Sequence, residues 1–259
     1  HPYWSGRDST FDTNNVCLSH GTLCLRSTAT PLTNIRAACV TSATKQAGSG
    51  CYYEASIKAC RLSMTSSFWF QGSYSEIDVV EEIGASVSNA WKNGYMFMTT
   101  HYFTNGWSSD LYTTYQWRMP TTCDAGFHSY GCWWKDARHL SVYHNDGRVQ
   151  DMMTAGDFNE NMYLFFDTEV FSWEGWPTLA SLQDASLNTM YVDWVRSWRL
   201  VPQPPAVLTG KLVSGGGFQL SYGGQYDGSY SVWSSEAMNH WSYLGQATAN
   251  TNGVFVYTD

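Results

Sequence analysis

Charged side chains are scarce in this chain, and basic ones are the scarcest. Only 14% of its 259 residues are charged, and 14 Lys and Arg against 22 Asp and Glu give a formal net charge of −8. The chain has no run of Lys or Arg, whereas binding to a nucleic-acid backbone requires clustered positive charge. We therefore expect no nucleic-acid partner.

Long apolar runs are also missing. No stretch approaches the roughly 20 apolar residues of a membrane-spanning helix, and no segment has the pattern of a signal peptide. We expect a chain that makes no contact with a membrane and that is a mature or trimmed product. We also expect it to be a monomer.

Two common catalytic and metal-binding signatures are absent from the sequence. There is no C-x-x-C spacing of the kind that binds zinc. There is also no G-x-S-x-G elbow of the kind that carries a serine nucleophile, and the histidines are scattered. These absences argue against a zinc site and a serine hydrolase, and we expect that no cofactor is required.

Cysteine is well represented, at positions 17, 24, 39, 51, 60, 123 and 132. Seven cysteines favour an oxidising compartment, and their odd number leaves at least one unpaired. A two-residue turn at His20-Gly21 would place Cys17 opposite Cys24, and positions 39 with 51 and 123 with 132 could close similar short loops. We expect secretion with some disulfides. The alternative is that all seven are buried free thiols, which behave as small apolar side chains.

Strand patterns dominate the sequence. β-Type runs occur at residues 23–27, 38–41, 52–59, 95–103, 111–118, 131–134, 140–144, 162–170 and 189–200. Short loops rich in Gly, Ser, Asn and Asp separate them, which predicts an all-β sandwich or jelly roll. Residues 145–147, Asn-Asp-Gly, predict a hairpin turn, and residues 178–184 are the one predicted helical turn.

The composition changes near residue 202. We assign residues 1–201 to one domain, 202–205 to a stiff Pro-rich linker, and 206–259 to a small β-rich C-terminal segment. This segment is near the lower limit for independent folding. Its aromatic residues could bind sugar, but filling a core is the favoured role. They are Tyr222, Tyr226, Tyr230, Trp233, Trp241 and Tyr243.

The most informative motif has three acids in a strand-like run, Glu76-Ile-Asp78-Val-Val-Glu81. Side chains alternate along a strand, so Glu76 and Asp78 share a face and Glu81 would point to the other side. One extra residue, a β-bulge at Val79-Val80, would bring Glu81 back. Three acids on one concave face are the arrangement that glycoside hydrolysis uses.

With this motif the sequence resembles glycoside hydrolase family 16 in its E-x-D-x-x-E form. The resemblance also includes residues 52–59, 63–69, 127–136, 145–147 and 189–196, and it covers about residues 10–201. It implies a β-jelly-roll sandwich of two curved sheets whose concave face holds a long open substrate cleft. Met-Thr-Ser-Ser-Phe-Trp at 64–69, Glu-Ile-Gly at 82–84 and His-Tyr-Phe at 101–103 are most similar to agarases and porphyranases. Residues 75–81 also resemble κ-carrageenases.

The resemblance implies roles for the three acids. Glu76 becomes the nucleophile and Glu81 the general acid/base, with Asp78 between them. Crowded negative charge is expected to raise the pKa of Glu81 and keep it protonated. The family also allows a structural calcium on the convex face, although nothing in the sequence identifies its ligands.

Six further residues are predicted to bind substrate, with a structural role as the alternative for each. They are selected because they can stack on sugar, share a strand face with the acids, or lie at strand ends or in aromatic loops. They are Trp69, His101, Trp107, Asp167, Glu169 and Trp173. Trp134 and Trp194 are predicted to belong to the core.

We therefore expect a secreted, endo-acting, retaining hydrolase of β-1,4 bonds in a red-algal galactan. Sulfated chains call for Arg or Lys in the cleft, so the low basic content favours agarose, with porphyran or carrageenan as the alternative. A catalytically inactive lectin is a second alternative, which the costly trio of acids disfavours. A third, oxidative cleavage by copper bound at His1, has no other support in the sequence.

Overall fold

The computed structural model describes residues 9–199, 208–223, 229–237, 240–248 and 254–258. The chain divides into two compact units, residues 1–200 and residues 201–259. The predicted linker at 202–205 lies outside the described residues. Among the described residues, no helix is long and apolar enough to cross a membrane.

Strands account for most of the first unit. They are β1 (Thr10–Phe11), β2 (Val16–Ser19), β3 (Thr22–Arg26), β4 (Thr28–Ala29), β5 (Ile35–Ala37), β6 (Cys39–Thr41), β7 (Cys51–Lys58), β8 (Thr65–Gln71), β9 (Ser75–Ile83), β10 (Tyr95–Trp107), β11 (Asp110–Arg118), β12 (His128–Trp134), β13 (His139–His144), β14 (Gly147–Met153), β15 (Tyr163–Asp167) and β16 (Thr189–Arg199). The helical segments are the helix α1 (Leu179–Gln183) and 3₁₀ turns at Thr13–Asn15, Ala90–Gly94 and Ser172–Glu174. Helix α1 confirms the helical turn predicted at 178–184.

Two large antiparallel sheets form the jelly roll. One has the strand order β11-β10-β9-β8-β15-β6, and the other has the order β14-β13-β12-β7-β16-β3-β2. A small third sheet has the order β1-β5-β4. The core between the large sheets includes Phe68, Phe70 and Ile77 from one and Tyr130 and Trp134 from the other, all of them buried. The all-β jelly roll predicted from the sequence is confirmed.

Alternation on the six-stranded sheet separates a core face from a polar face. On β8, Phe68 and Phe70 are fully buried in the core, whereas Ser67, Trp69 and Gln71 line a cleft on the opposite face. Period-2 alternation therefore gives β8 one row of side chains for the core and one for the cleft.

A β-bulge interrupts the pairing of β8 with β9. Asp78 lies opposite Trp69 and Val80 lies opposite Phe68, which leaves Val79 without a partner. The extra residue shifts the alternation by one position. The third acid of the motif therefore returns to the face of the first two, as the sequence predicted.

Two hairpin turns also follow the sequence prediction. His20 and Gly21 have φ values of 51° and 82°, and Asn145 and Asp146 have 45° and 65°. Two successive positive φ values define the turn that matches the twist of paired strands. The first of these turns places Cys17 directly opposite Cys24.

The expectation of disulfides is wrong, because all seven cysteines are free thiols. Cys39 and Cys51 lie on strands of different sheets. Cys123 and Cys132 are fully buried, and burial raises the pKa of Cys132 to about 12. Five of the seven thiols are buried and fill the interior as small apolar side chains, namely Cys24, Cys51, Cys60, Cys123 and Cys132. Cys17 and Cys39 are half-buried, so the alternative of seven buried thiols holds only in part.

Of the two tryptophans predicted for the core, one is there. Trp134 is fully buried and its indole N–H donates to the carbonyl of Asp136 at 2.9 Å. Trp194 is half-buried instead, and the guanidinium of Arg196 lies 4.3 Å from its ring centroid. The register of β16 against β7 shifts between Val192 and Trp194. The alternation of the sequence does not reveal this shift.

The second unit contains β17 (Thr209–Leu212), β18 (Phe218–Gly223), β19 (Ser229–Ser234), β20 (Ser242–Thr248) and β21 (Val254–Thr258). Its small core contains Val232, Ala247 and Phe255, with Tyr222 stacked on Phe255 at 4.9 Å. Tyr230 contacts the same ring. The other predicted core aromatics differ: Trp233, Trp241 and Tyr243 are about half exposed, and Tyr226 lies outside the described residues.

Glu160 anchors the hairpin that joins β8 to β9. Its carboxylate accepts hydrogen bonds from the backbone N–H groups of Ser73 and Tyr74, at 2.7 and 2.9 Å, and from Ser75 Oγ at 2.9 Å. Lys45 Nζ lies 3.2 Å away. Burial acts to raise the pKa of Glu160, but these four partners hold this pKa below its ordinary value.

Replacing Glu160 by Gln is expected to lower the free energy of unfolding by about 2 kcal/mol at neutral pH, because hydrogen bonds to a charged acceptor are lost. The folded-state pKa lies below the ordinary value of 4.5. The carboxylate therefore stabilises the fold above that value, and its contribution disappears as the pH falls through the folded-state pKa. Urea unfolding at several pH values measures the difference.

The matched control is Asp193→Asn, at an exposed position on β16. It should change stability little at any pH. A Glu160→Gln difference of the same size in acid as at neutral pH would contradict the linkage.

Candidate active site

The polar face of the six-stranded sheet forms the floor of a cleft with a volume of about 860 Å³. Glu76, Asp78 and Glu81 of β9 lie along its centre. Their cross-strand neighbours on β8 are Gln71, Trp69 and Ser67, in that order. On the other side, His101 of β10 lies opposite Glu76 and Thr99 lies opposite Asp78. The predicted catalytic trio therefore shares one surface.

Glu76 lies in a crowded environment. Gln71 Nε2 donates a hydrogen bond to Glu76 Oε2 at 2.5 Å, and His101 Nε2 lies 4.0 Å from Oε1. Burial and the charge of Asp78 raise the pKa of Glu76, while His101 and Gln71 act in the opposite direction. These two neighbours thus favour the carboxylate form of Glu76.

Burial raises the pKa of Glu81 well above its ordinary value, and the charges of Asp78, Glu76 and Glu169 raise it further. His101 is the one group that acts against this shift among its main causes. Glu76 has an amide donor and a nearby cation, whereas no comparable hydrogen bond contributes to the shift of Glu81. We therefore assign the proton that this coupled pair retains to Glu81.

His101 is the cation of the site. Its Nε2 lies 3.4 Å from Asp78 Oδ2, and its Nδ1 lies 2.8 Å from Asp110 Oδ2. Although burial acts to lower the pKa of His101, the hydrogen bond and charge of Asp78, the charge of Glu76 and the hydrogen bond to Asp110 raise it to about 10. His101, predicted to contact substrate or the acid pair, is placed beside the acid pair.

Trp69 is nearly enclosed in the cleft floor. It is 4% exposed, its indole stacks on Phe165 with ring centroids 4.3 Å apart, and its Nε1–H donates to Asp167 Oδ2 at 3.2 Å. Burial and the charge of Glu81 raise the pKa of Asp167 well above its ordinary value. Both side chains line the cleft as predicted, and their contacts with sugar stay a prediction.

Glu169 and Trp173 form part of the cleft wall at the edge next to β15. Glu169 is 5% exposed and Trp173 is 51% exposed. The Trp173 ring stacks on Phe171 with centroids 4.5 Å apart. The side chain of Trp107, at the end of β10, is outside the described residues, so its predicted role stays a prediction.

Glu174 fixes the loop that carries Trp173. It is fully buried, it pairs with the ammonium of Lys92, and its Oε2 accepts hydrogen bonds from Ser86 Oγ at 2.7 Å and Asn89 Nδ2 at 3.2 Å. The donors all belong to the segment between β9 and β10. This buried ion pair therefore connects the segment that follows the catalytic strand to the aromatic wall of the cleft.

Sequence reasoning missed Gln71, Asp110 and Phe171 as cleft residues. Gln71 lies five positions before Glu76, so a hairpin drawn between β8 and β9 would have placed it beside the first acid. The position of Asp110 in the cleft depends on the register of β10 with β11, and no short sequence motif indicates this register. Phe171 lies two residues before Trp173 and could have been found by extending the aromatic loop.

One group of three ligand-type side chains in the described part of the chain could hold a metal ion, namely Glu76, Asp78 and His101. Both ring nitrogens of His101 already face carboxylates, and a metal ligand must be a neutral imidazole. A metal ion bound there would have to displace the proton that these carboxylates favour on His101, and the expectation that no cofactor is required stays a prediction. The calcium predicted for the convex face stays a prediction, and His1 lies outside the described residues.

Comparison with known proteins decides the family. The model of the glycoside hydrolase family 16 domain of β-porphyranases A–D matches residues 1–200. The chain belongs to glycoside hydrolase family 16. This family 16 domain also has curated relatives and solved neighbours over most of its length.

Two curated relatives are named after different substrates. β-Porphyranase E of Zobellia galactanivorans is 33% identical over 230 residues, which cover 78% of this chain and 80% of that protein. β-Agarase AgaA of Microbulbifer thermotolerans is 31% identical over 175 residues, or 58% of this chain and 40% of that protein. A crystal structure of a β-porphyranase from the gut bacterium Bacteroides plebeius matches with a TM-score of 0.69 and 29% identity. It covers 79% of this chain and 85% of that one.

Replacing Lys92 by Met is expected to destabilise the family 16 domain by about 3 kcal/mol, because Glu174 is then buried without its cation. The double variant Lys92→Met with Glu174→Gln should recover part of this loss, since it removes the unpaired charge. Urea unfolding of the two variants and the wild type measures both effects. A double variant that is no more stable than Lys92→Met would contradict the account.

Proposed function

We propose that this domain is a secreted, retaining, endo-acting hydrolase of β-1,4 bonds in a red-algal galactan. The bulge at Val79 is the observation that carries the proposal, because it gathers Glu76, Asp78 and Glu81 on the floor of one cleft. The relatives named porphyranases and agarases support a galactan as the substrate. A polysaccharide is too large to enter a cell, which supports secretion.

Glu76 and Glu81 take the two roles that retention requires. In the first step the Glu76 carboxylate attacks the anomeric carbon, while Glu81 gives its proton to the departing glycosidic oxygen. The bond from the anomeric carbon to that oxygen breaks, and a glycosyl ester forms on Glu76. In the second step Glu81 takes a proton from water, the water oxygen attacks the anomeric carbon, and the carboxylate of Glu76 is released.

The neighbours of the pair set the charge that each step needs. Gln71 and His101 favour the carboxylate form of Glu76, while burial and nearby acids keep the proton on Glu81. Asp78 lies between them in the row and faces the His101 cation. The site can therefore hold a nucleophile and an acid at the same pH.

The cleft has aromatic side chains at both ends. Trp173 is 51% exposed on one side of the acids and Tyr112 of β11 is 65% exposed on the other. Rings of this kind offer an apolar face to a sugar. A chain that contacts both rings extends past the catalytic acids in both directions, and this arrangement supports cleavage within the chain.

Charge favours agarose as the substrate. Among the described residues that line the cleft there is no Lys or Arg. Six acids line it: Glu76, Asp78, Glu81, Asp110, Asp167 and Glu169. A sulfated chain would find no Arg or Lys to bind its sulfate groups and would be repelled by those acids that are ionised. A neutral galactan does not meet this barrier.

Porphyran is the second candidate substrate. The family model and β-porphyranase E support it, and the His101 cation is a positive charge that could face a sulfate group. κ-Carrageenan is also sulfated and meets the same barrier, with only the resemblance of the motif in its favour.

A reducing-end assay on agarose, porphyran and κ-carrageenan should show the highest kcat/KM on agarose, because the cleft lacks Lys and Arg. At low ionic strength the preference should be strongest, since repulsion between the acids and sulfate is screened by salt. Faster hydrolysis of porphyran at every salt concentration would overturn the choice of agarose and leave the hydrolase assignment standing. An absence of new reducing ends on all three would favour the lectin.

Replacing Glu76 by Gln should reduce kcat on any substrate by at least about 10⁴-fold, because the nucleophile is lost. Glu81→Ala should be equally slow on galactan. It should regain activity on an aryl glycoside, whose leaving group needs no proton. In the wild type, kcat/KM should fall at high pH as Glu81 loses its proton. This fall, the alkaline limb of the pH profile, should begin at a pH above 4.5, the ordinary pKa of a glutamate.

Glu81→Ala should lack this alkaline limb on the aryl glycoside. The control Asp193→Asn should behave as the wild type in every assay. Near-normal galactan hydrolysis by Glu76→Gln, or an unchanged alkaline limb in Glu81→Ala, would contradict the assigned roles.

A further inference from the structure

Asp110 is the first residue of β11 and lies at the edge of the cleft. Its carboxylate touches no member of the catalytic trio and accepts a hydrogen bond from His101, with 2.8 Å between Oδ2 and the ring Nδ1. Its side chain is 38% exposed. The sequence gives no reason to choose it, and the mechanism above assigns it no role.

The strand register explains how Asp110 reaches the site. His101 pairs with Glu76 on one side and with Tyr112 on the other. Asp110 lies opposite Phe103, two residues from His101, so it is a diagonal neighbour of the imidazole. A ring on this central strand therefore meets acids from both adjacent strands.

Both edges of the imidazole are engaged. The Nδ1 edge faces Asp110, and the Nε2 edge faces Asp78 at 3.4 Å and Glu76 at 4.0 Å. The ring stacks loosely on Phe103 and is tilted by 39° relative to Tyr112, with centroids 6.1 Å from each. The hydrogen bond at Nδ1 is the shortest of the three polar contacts, so it is the one that fixes the rotation of the ring.

We propose that Asp110 is a positioning residue for the hydrolysis, because it holds His101 so that the Nε2–H faces Asp78 and Glu76. The proposal rests on the proposed function of this cleft. The titratable groups that face His101 are Glu76 and Asp78 from β9 and Asp110 and Tyr112 from β11. Of these, Asp110 alone contacts Nδ1.

Loss of Asp110 would act on the nucleophile through His101. Without an acceptor at Nδ1, the ring can turn and its Nε2–H no longer faces the two acids of β9. Removal of the negative charge of Asp110 also makes the imidazolium less stable. Small displacements of a charged group beside reacting atoms are costly in rate, so kcat should respond more than KM.

The test compares Asp110→Asn, which retains an acceptor oxygen, with Asp110→Ala, which removes it. Asp193→Asn is the control on the other sheet. We expect Asp110→Ala to lower kcat on galactan oligosaccharides by about tenfold with KM within twofold, and Asp110→Asn to lose less. The melting temperature of each variant should stay within about 2 °C, because the side chain is partly exposed.

NMR titration of the His101 ring separates this role from a structural one. The wild-type ring should lose its proton near pH 10, and both Asp110 variants should lose it at lower pH. An unchanged kcat in both variants, or an unchanged His101 titration, would overturn the proposal. Failure of the wild type to cleave any galactan would overturn the proposed function, while the titration would still report whether Asp110 acts on His101.

Discussion

The burial of several carboxyl groups around one cation is the interaction on which the site depends. Glu76, Asp78 and Glu81 share a single face of β9, and Asp167 and Glu169 extend the same acidic surface. Among the described residues of this cleft, His101 is the one positively charged side chain. Isolated buried charges are very costly, so the surplus of acids forces at least one to keep its proton. The proton that one of them keeps is the one that the proposed mechanism uses for general acid catalysis.

The bulge and the packing behind the catalytic strand serve this arrangement. Ile77 and Val80 of β9 are buried in the core between the sheets, which prevents the strand from sliding by one residue, since a slip would exchange acids for apolar side chains. Val79 adds the one residue that restores Glu81 to the cleft. Glu160 holds the hairpin at the start of β9, and the Glu174–Lys92 pair connects the segment that follows β9 to the loop of Trp173.

Much of the fold and the shared face of the three acids could be predicted from the sequence, because period-2 alternation and turn residues are local signals. The strands, the hairpins at His20 and Asn145 and the bulge followed from them. The partners of the trio did not follow. Asp110 reaches His101 through strand pairing, and Glu174 meets Lys92 across 82 positions, so no spacing in the sequence marks either contact. The predicted disulfides were wrong as well. Cys39 and Cys51 lie on different sheets, which short spacing does not show, whereas Cys17 and Cys24 lie directly opposite each other and are nevertheless free thiols.

The central claim is that the bulge places a protonated Glu81 across the bond from an ionised Glu76. The anomeric configuration of the first product tests it most directly. Proton NMR of a β-linked galactan oligosaccharide during early hydrolysis separates the two anomers before they equilibrate. The account predicts the β-anomer first, because two displacements restore the configuration. Initial release of the α-anomer would mean a single displacement by water and would contradict the role of Glu76.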